Sequence, residues 1–174
     1  MAHVIEPASS GRAKCRGCGK SIVKGALRLG ERLPNLFGEG EMTLWFHLPC
    51  GAYKRPQPFL DALQTTSGAG DTTSLEAAAQ NGLEHRRVPR VDGAQRSPSG
   101  RSHCRHCREP IDKDTWRIKL VYYEDGRFEP SGCVHVKCVR EYFETTAILD
   151  RVAHFSPELT IWRSEERRVG KECR

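Results

Sequence analysis

The chain has 174 residues, a formal net charge of +6 and 37% hydrophobic residues, enough for one or two domains. No apolar run approaches the roughly 20 residues a membrane helix needs, and residues 1–14 hold no apolar core or cleavage-site pattern, so neither a membrane span nor a secretory route is expected. Without that route the thiols stay reduced, and the paired cysteines among the eight point to metal rather than disulfides.

Residues 1–14 are polar, with Pro, Ser and Gly, and read as a flexible leader. The first unit is expected over 15–63. It opens on Cys15-Arg16-Gly17-Cys18, followed by a turn at Lys24-Gly25 and a short strand through Leu27, Arg28 and Leu29. A loop with Pro34, Gly38 and Gly40 leads to a second strand, Leu44-Trp45-Phe46-His47, and to Cys50. A short helix follows, interrupted by Pro56 and Pro58 until about Phe59.

Residues 64–102 change character. Thr, Ser, Gly, Ala and Gln dominate, which is the composition of a largely disordered linker. Ser74 to Asn81 can form a brief helix, marginal in water at that length. Arg86-Arg87-Val88-Pro89-Arg90 is either solvated linker or an auxiliary phosphate contact or localisation patch.

The second unit is expected over 103–162. Cys104-Arg105-His106-Cys107 is followed by an alternating strand over 115–123, and Asp125-Gly126 suits a type I′ hairpin turn. A return strand leads to His135 and Cys138, and apolar residues at helical spacing predict an amphipathic helix over 139–152. Residues 163–174 continue no pattern. They resemble a translated sequencing adapter, so they read as a non-native tail that stands apart from the fold.

The two Cys-x2-Cys pairs and two His-x2-Cys pairs define two quartets: Cys15, Cys18, His47, Cys50 and Cys104, Cys107, His135, Cys138. Within each, 28 and 27 residues separate the pairs. Thiolates and imidazole in sets of four suit tetrahedral Zn²⁺, with Zn–S near 2.3 Å and Zn–N near 2.0–2.1 Å. Four protein ligands leave no open position, so two structural ions are expected and no catalysis. Cys133, one residue from His135's neighbour Val134, is either a substitute ligand or a small buried apolar residue. At an offset of 89 the units align: Cys15, Arg16, Cys18, Ile22, Lys24, Arg28 and Leu29 match Cys104, Arg105, Cys107, Ile111, Lys113, Arg117 and Ile118. The shared arginines and lysine exceed what metal binding requires.

The Cys knuckle, the run Ile22-Val23-Lys24-Gly25-Ala26-Leu27-Arg28, and the aromatic pair before His47 resemble the PARP-type zinc finger. This is the DNA-break-sensing finger of poly(ADP-ribose) polymerase and of a nuclear DNA ligase. The second unit shares the knuckle, Ile111, Lys113 and Arg117, but has Gly132-Cys133-Val134 where the aromatic pair stands. The resemblance implies small α+β zinc-stabilised domains, two Cys3His fingers, that bind DNA at ends, nicks and gaps by shape. It implies phosphate contact by an arginine at the position of Arg28, and stacking of loop side chains on a terminal base pair. The expected location is therefore intracellular, at DNA: the nucleus in a eukaryote, the nucleoid in a bacterium.

The DNA-contact candidates are Arg16, Lys24 and Arg28 in the first finger and Arg105 and Arg117 in the second, since an arginine fork matches phosphate. Arg28, between Leu27 and Leu29, is expected to point away from the face those two share. Leu36 and Phe37 either fold onto the small core or stack on an exposed base pair. Tyr122, Tyr123 and Phe128 are expected in the core, as are Trp45, Phe46 and Trp116 as walls of the zinc sites. Residues 12–63 carry nine Lys/Arg against four Asp/Glu (9 − 4 = +5), and residues 103–162 nine against ten (9 − 10 = −1). The first finger is therefore expected to bind DNA more strongly. Two other readings stay open: a zinc-stabilised module that binds protein, and the N-terminal part of a truncated DNA-repair enzyme.

Overall fold

The computed structural model describes residues 2–35 and 38–159. Leu36, Phe37 and the tail over 163–174 lie outside the described residues. The chain divides into two compact units. The first is Met1–Pro89 together with Tyr123–Glu129; the second is Arg90–Tyr122 with the described chain from Pro130.

The first unit is a three-stranded antiparallel sheet backed by helices. Its strands are β1 (Val4–Pro7), β2 (Leu27–Pro34) and β3 (Glu41–His47), with β2 central. The supposed leader thus supplies an edge strand. Four residues with one buried apolar side chain, Ile5, are too few for a legible alternation, and pairing with β2 is what orders them. Strand β2 runs on past Gly30 into the expected loop because β3 pairs with it as far as Pro34.

Helices α1 (Leu48–Lys54) and α2 (Pro56–Thr65) follow. Pro56 starts α2 rather than delaying it, since a proline at the first helical position gives up only an N–H that has no partner there. Leu29, Phe46, Phe59 and Ala62 are fully buried, on the face of β2 and β3 opposed by the helices. A Cβ built on Gly51 of α1 would meet Leu29 Cδ2 at 2.7 Å, which measures how closely helix and sheet approach.

The stretch expected to be a disordered linker is ordered in part. Helix α3 (Thr73–Glu84) packs against α1 and α2 and buries Ala79. Further on, β4 (Val91–Arg96) becomes the first strand of the second sheet. Small residues gave the segment a linker's composition. A packed helix needs only one face of them, and tertiary contact stabilises what twelve isolated residues do not.

The second sheet has the order β4, β5 (Trp116–Glu124), β6 (Arg127–His135). Asp125 (φ 48°) and Gly126 (φ 78°) both take the left-handed conformation that a type I′ turn requires. A register shift between Val91 and Ala94 bulges β4. The Ser156 hydroxyl lies 2.9 Å from the Ala94 N–H and 3.0 Å from its carbonyl, closing the gap.

The helix expected over 139–152 is two short ones, α4 (Val139–Phe143) and α5 (Leu149–Phe155). Glu144 ends α4 in the left-handed region at φ 61°. The break lets α5 lie along β4 while Tyr142 and Phe143 stay buried.

In the first unit, Phe128 meets Phe46 edge-on at 6.3 Å between centroids. The Arg55 guanidinium lies 3.8 Å over the Tyr123 ring. Arg55 Nε also sits 3.0 and 2.9 Å from the two carboxylate oxygens of buried Glu31. Burial, and then the Glu31 charge, push the Tyr123 phenol up to about 12.

Candidate metal centres and the arginines beside them

Each quartet is assembled by two short segments held together by the sheet. In the first, Cys15 and Cys18 sit on a tight knuckle, closed by Gly19 N–H to Cys15 O at 2.8 Å and Cys15 N–H to Lys20 O at 2.8 Å. His47 ends β3 and Cys50 lies in the first turn of α1. Arg16 N–H donates to Trp45 O at 2.8 Å, pinning the knuckle beside the His strand. The second unit repeats every contact: Arg108 N–H to Cys104 O, Cys104 N–H to Glu109 O, and Arg105 N–H to Cys133 O. Ile22 and Ile111, both fully buried, anchor the return of the knuckle by donating to Ala13 O and Ser102 O. That explains the shared isoleucine.

The ligand atoms of Cys15, Cys18, His47 and Cys50 all lie within 4.8 Å of one another, and so do those of Cys104, Cys107, His135 and Cys138. Tetrahedral zinc with Zn–S near 2.3 Å would set its sulfurs about 3.8 Å apart, so each group can hold one zinc ion. The histidine tautomers agree. His47 Nδ1 faces Cys18 Sγ at 3.4 Å, while Nε2–H donates to Ser21 O at 3.3 Å. His135 Nδ1 faces Cys107 Sγ at 3.4 Å, and Nε2–H donates to Pro110 O at 3.1 Å. A carbonyl behind the ring fixes both its orientation and the nitrogen offered to metal.

The His47 and His135 amides point at Cys15 Sγ (3.3 Å) and Cys104 Sγ (3.4 Å). The Cys50 thiol and the amides of His47, Cys18 and Gly17 hold Cys15 down to about 4, while Cys50 is pushed up by Cys15 and burial. In the second quartet burial opposes ionisation, yet the amides of His135, Cys107 and His106 bring Cys104 down to about 6. Burial, and then Cys107, push Cys138 up to about 12. Sulfurs this close hold each other's protons unless a cation takes their place. Cys133 is buried and not in the quartet; burial raises its thiol, as suits a small core residue.

The arginines divide by position. Arg16 and Arg105 are exposed on the knuckles, and Lys24 is exposed on the turn before β2. Arg105 lies across Gly132, its Nε donating to Ser131 O at 2.8 Å. Arg28 does not face solvent as expected: it is 6% exposed. Its ion partner is Glu6, directly across in β1, at 2.7 Å, and its guanidinium lies 3.5 Å over the Trp45 ring. Both faces of the central strand are covered, so alternation distinguished helix face from far face rather than core from water.

Trp45 therefore shields an arginine instead of filling the core, unlike Phe46. Gly30 makes room for it, since a Cβ there would meet Trp45 Cζ3 at 2.7 Å. Trp116, by contrast, is exposed, with Arg96 5.1 Å from its ring. Arg117 is 7% exposed, and its Nη1 donates to Ser102 Oγ at 2.6 Å. Sequence reasoning missed Glu6, Gln95 and Ser102. The signal that could have found the first two was the offset of 89, which carries Glu6 onto Gln95.

The fold and the four-ligand shells define a pair of structural Cys3His zinc modules. Residues 6–85 match the family model described as "Poly(ADP-ribose) polymerase and DNA-Ligase Zn-finger region". The chain is 25% identical over 140 residues to a poly [ADP-ribose] polymerase of Drosophila melanogaster, covering 71% of this chain and 14% of that protein. It is 28% identical over 151 residues to poly [ADP-ribose] polymerase 1 of Oryza sativa subsp. japonica, covering 78% and 14%. Over 50 residues it is 40% identical to the Caenorhabditis elegans enzyme, covering 29% of this chain and 5% of that one. The matched stretch thus spans about a seventh of the length of the longer-matching relatives.

Proposed function

We propose that the chain is a zinc-dependent DNA-binding protein that recognises strand breaks or ends through backbone phosphates and base stacking rather than sequence. The observation that carries this is the recurrence, beside each metal centre, of one exposed knuckle arginine and one strand arginine: Arg16 with Arg28, and Arg105 with Arg117. Neither pair ligates metal, and a planar fork suits phosphate. The quartets Cys15, Cys18, His47, Cys50 and Cys104, Cys107, His135, Cys138 would each hold one zinc ion as a structural centre, with four protein ligands leaving no open position for chemistry. Leu36 and Phe37 are the stacking candidates; intact duplex hides the base faces they would meet, which would confer selectivity for a break.

The test compares intact, nicked and blunt-ended duplex with wild type, Arg16→Ala and Arg28→Ala, zinc content being checked for each. Tighter binding to the broken duplexes, weakened by both variants, is expected. Equal affinity for all three duplexes would refute the reading. Exposed Trp116 and Val136 in the second unit favour protein contact as the alternative there; affinity indifferent to salt would support it.

A further inference from the structure

Resting on that phosphate-binding reading, we propose that the residue facing the strand arginine sets how strongly each module holds phosphate. Glu6 attenuates the first module, and Gln95 leaves the second at full strength.

The two positions are equivalent in register. Glu6 pairs with Arg28 across β1 and β2, and Gln95 pairs with Arg117 across β4 and β5. The arginines are buried alike, at 6% and 7% exposure, and neither Nε has a hydrogen-bond partner. Their counter-charges differ. Arg28 Nη2 holds the Glu6 carboxylate at 2.7 Å. Arg117 donates to the neutral Ser102 hydroxyl, and among the described residues no carboxylate pairs with it. Ser102 stands at the place of Ala13 in the first module.

Glu6 is therefore not what keeps the guanidinium in place, because Arg117 sits equally deep without a carboxylate. In the first module burial and the Trp45 ring hold Arg28 as well. What Glu6 supplies is charge. A buried cation without an anion is costly, and an incoming phosphate relieves that cost at Arg117. At Arg28 the cost is already relieved, and a phosphate arrives beside a second negative charge. The Glu6 side chain is 46% exposed, so it can yield, but only against its own attraction to Arg28. Counted over the folded units, residues 1–89 with 123–129 carry 12 Lys/Arg against 11 Asp/Glu (12 − 11 = +1), and residues 90–122 with 130–159 carry 11 against 8 (11 − 8 = +3). Unit charge and local pairing thus both favour the second module as the stronger single phosphate site.

The test uses the full chain, a short blunt-ended duplex as probe, and four variants: Glu6→Gln, Gln95→Glu, Arg28→Ala and Arg117→Ala. Kd is measured across a salt series, with zinc content confirmed at two per chain. Glu6→Gln should tighten binding several-fold and steepen the salt slope by up to about 0.9, the increment for one more neutralised phosphate. Gln95→Glu should loosen binding and flatten the slope by a similar amount. If Arg28→Ala weakens binding while Glu6→Gln leaves it unchanged or weakens it too, Glu6 is a positioning partner or a bystander and the inference is overturned. If neither arginine variant alters binding, the phosphate-binding reading itself falls, and the inference with it.

Discussion

The two zinc modules share their ligands, knuckle contacts and strand arginine, yet they solve the surroundings differently. In the first, Trp45 lies across the sheet and demands Gly30 beneath it; in the second, Cys133 and Lys119 occupy those places. Buried Glu31, bound by Arg55, has apolar Leu120 as its counterpart. Arg28 has Glu6 where Arg117 has Gln95. What recurs is what holds metal, plus the arginines; what varies is the packing around them. Metal geometry tolerates no substitution, whereas a small core can be closed by an aromatic ring, an ion pair or a leucine. The comparison suggests a first module built around buried charge and a second built with more ordinary apolar packing.

Metal removal should have the largest effect. Structural zinc contributes roughly 10–16 kcal/mol in finger peptides, more than most domains' net stability. Chelation should therefore unfold the chain, seen as loss of amide dispersion in NMR spectra. Cys15→Ala and Cys104→Ala should each lower zinc content from two to one per chain by elemental analysis. Full zinc in either variant would remove the corresponding quartet from the account.

Next in size is the Glu31 and Arg55 pair. Arg55→Ala leaves a carboxylate buried without its partner and should cost about 2–4 kcal/mol in denaturant unfolding, discounted because Arg55 is partly exposed. Glu31→Leu with Arg55→Leu, which imitates Leu120, should recover most of that loss. A double variant as unstable as the single one would show that the first module depends on the ion pair itself.

A smaller effect separates the strand positions. Gly30→Ala drives a Cβ into Trp45 and should cost about 1–3 kcal/mol. Lys119→Ala, the same position in the second module, should stay within about 0.5 kcal/mol. Thermal shifts of the two variants measure the contrast directly. The smallest effect is expected at the knuckles. Arg16→Ala and Arg105→Ala should each reduce the salt slope of DNA binding by up to about 0.9, with stability unchanged. An unchanged slope for Arg105→Ala alone would confine phosphate contact on the knuckles to the first module.

Much of the architecture could be read in advance. Cysteine and histidine spacing announced both quartets, the Asp125-Gly126 dipeptide announced the hairpin turn, and the apolar runs announced β3 and β5. Strand β1 and helix α3 could not be read this way. Val4–Pro7 has no pattern of its own, and Thr73–Glu84 has the composition of a linker; each is ordered by what it packs against. The single helix expected after Cys138 failed at Glu144, where no glycine or proline marked the stop. The direction of Arg28 failed for a related reason: alternation says that two neighbours point oppositely, but not that either points to water.

Local chemistry settled which atoms can grip a metal, because a two-residue knuckle brings its sulfurs together whatever surrounds it. The same chemistry placed an arginine one strand away from each centre. Only the folded sheet decided what those arginines face. Strand pairing brings residue 6 to residue 28 and residue 95 to residue 117, and such long-range register leaves no trace in any window of the chain short enough to read by pattern.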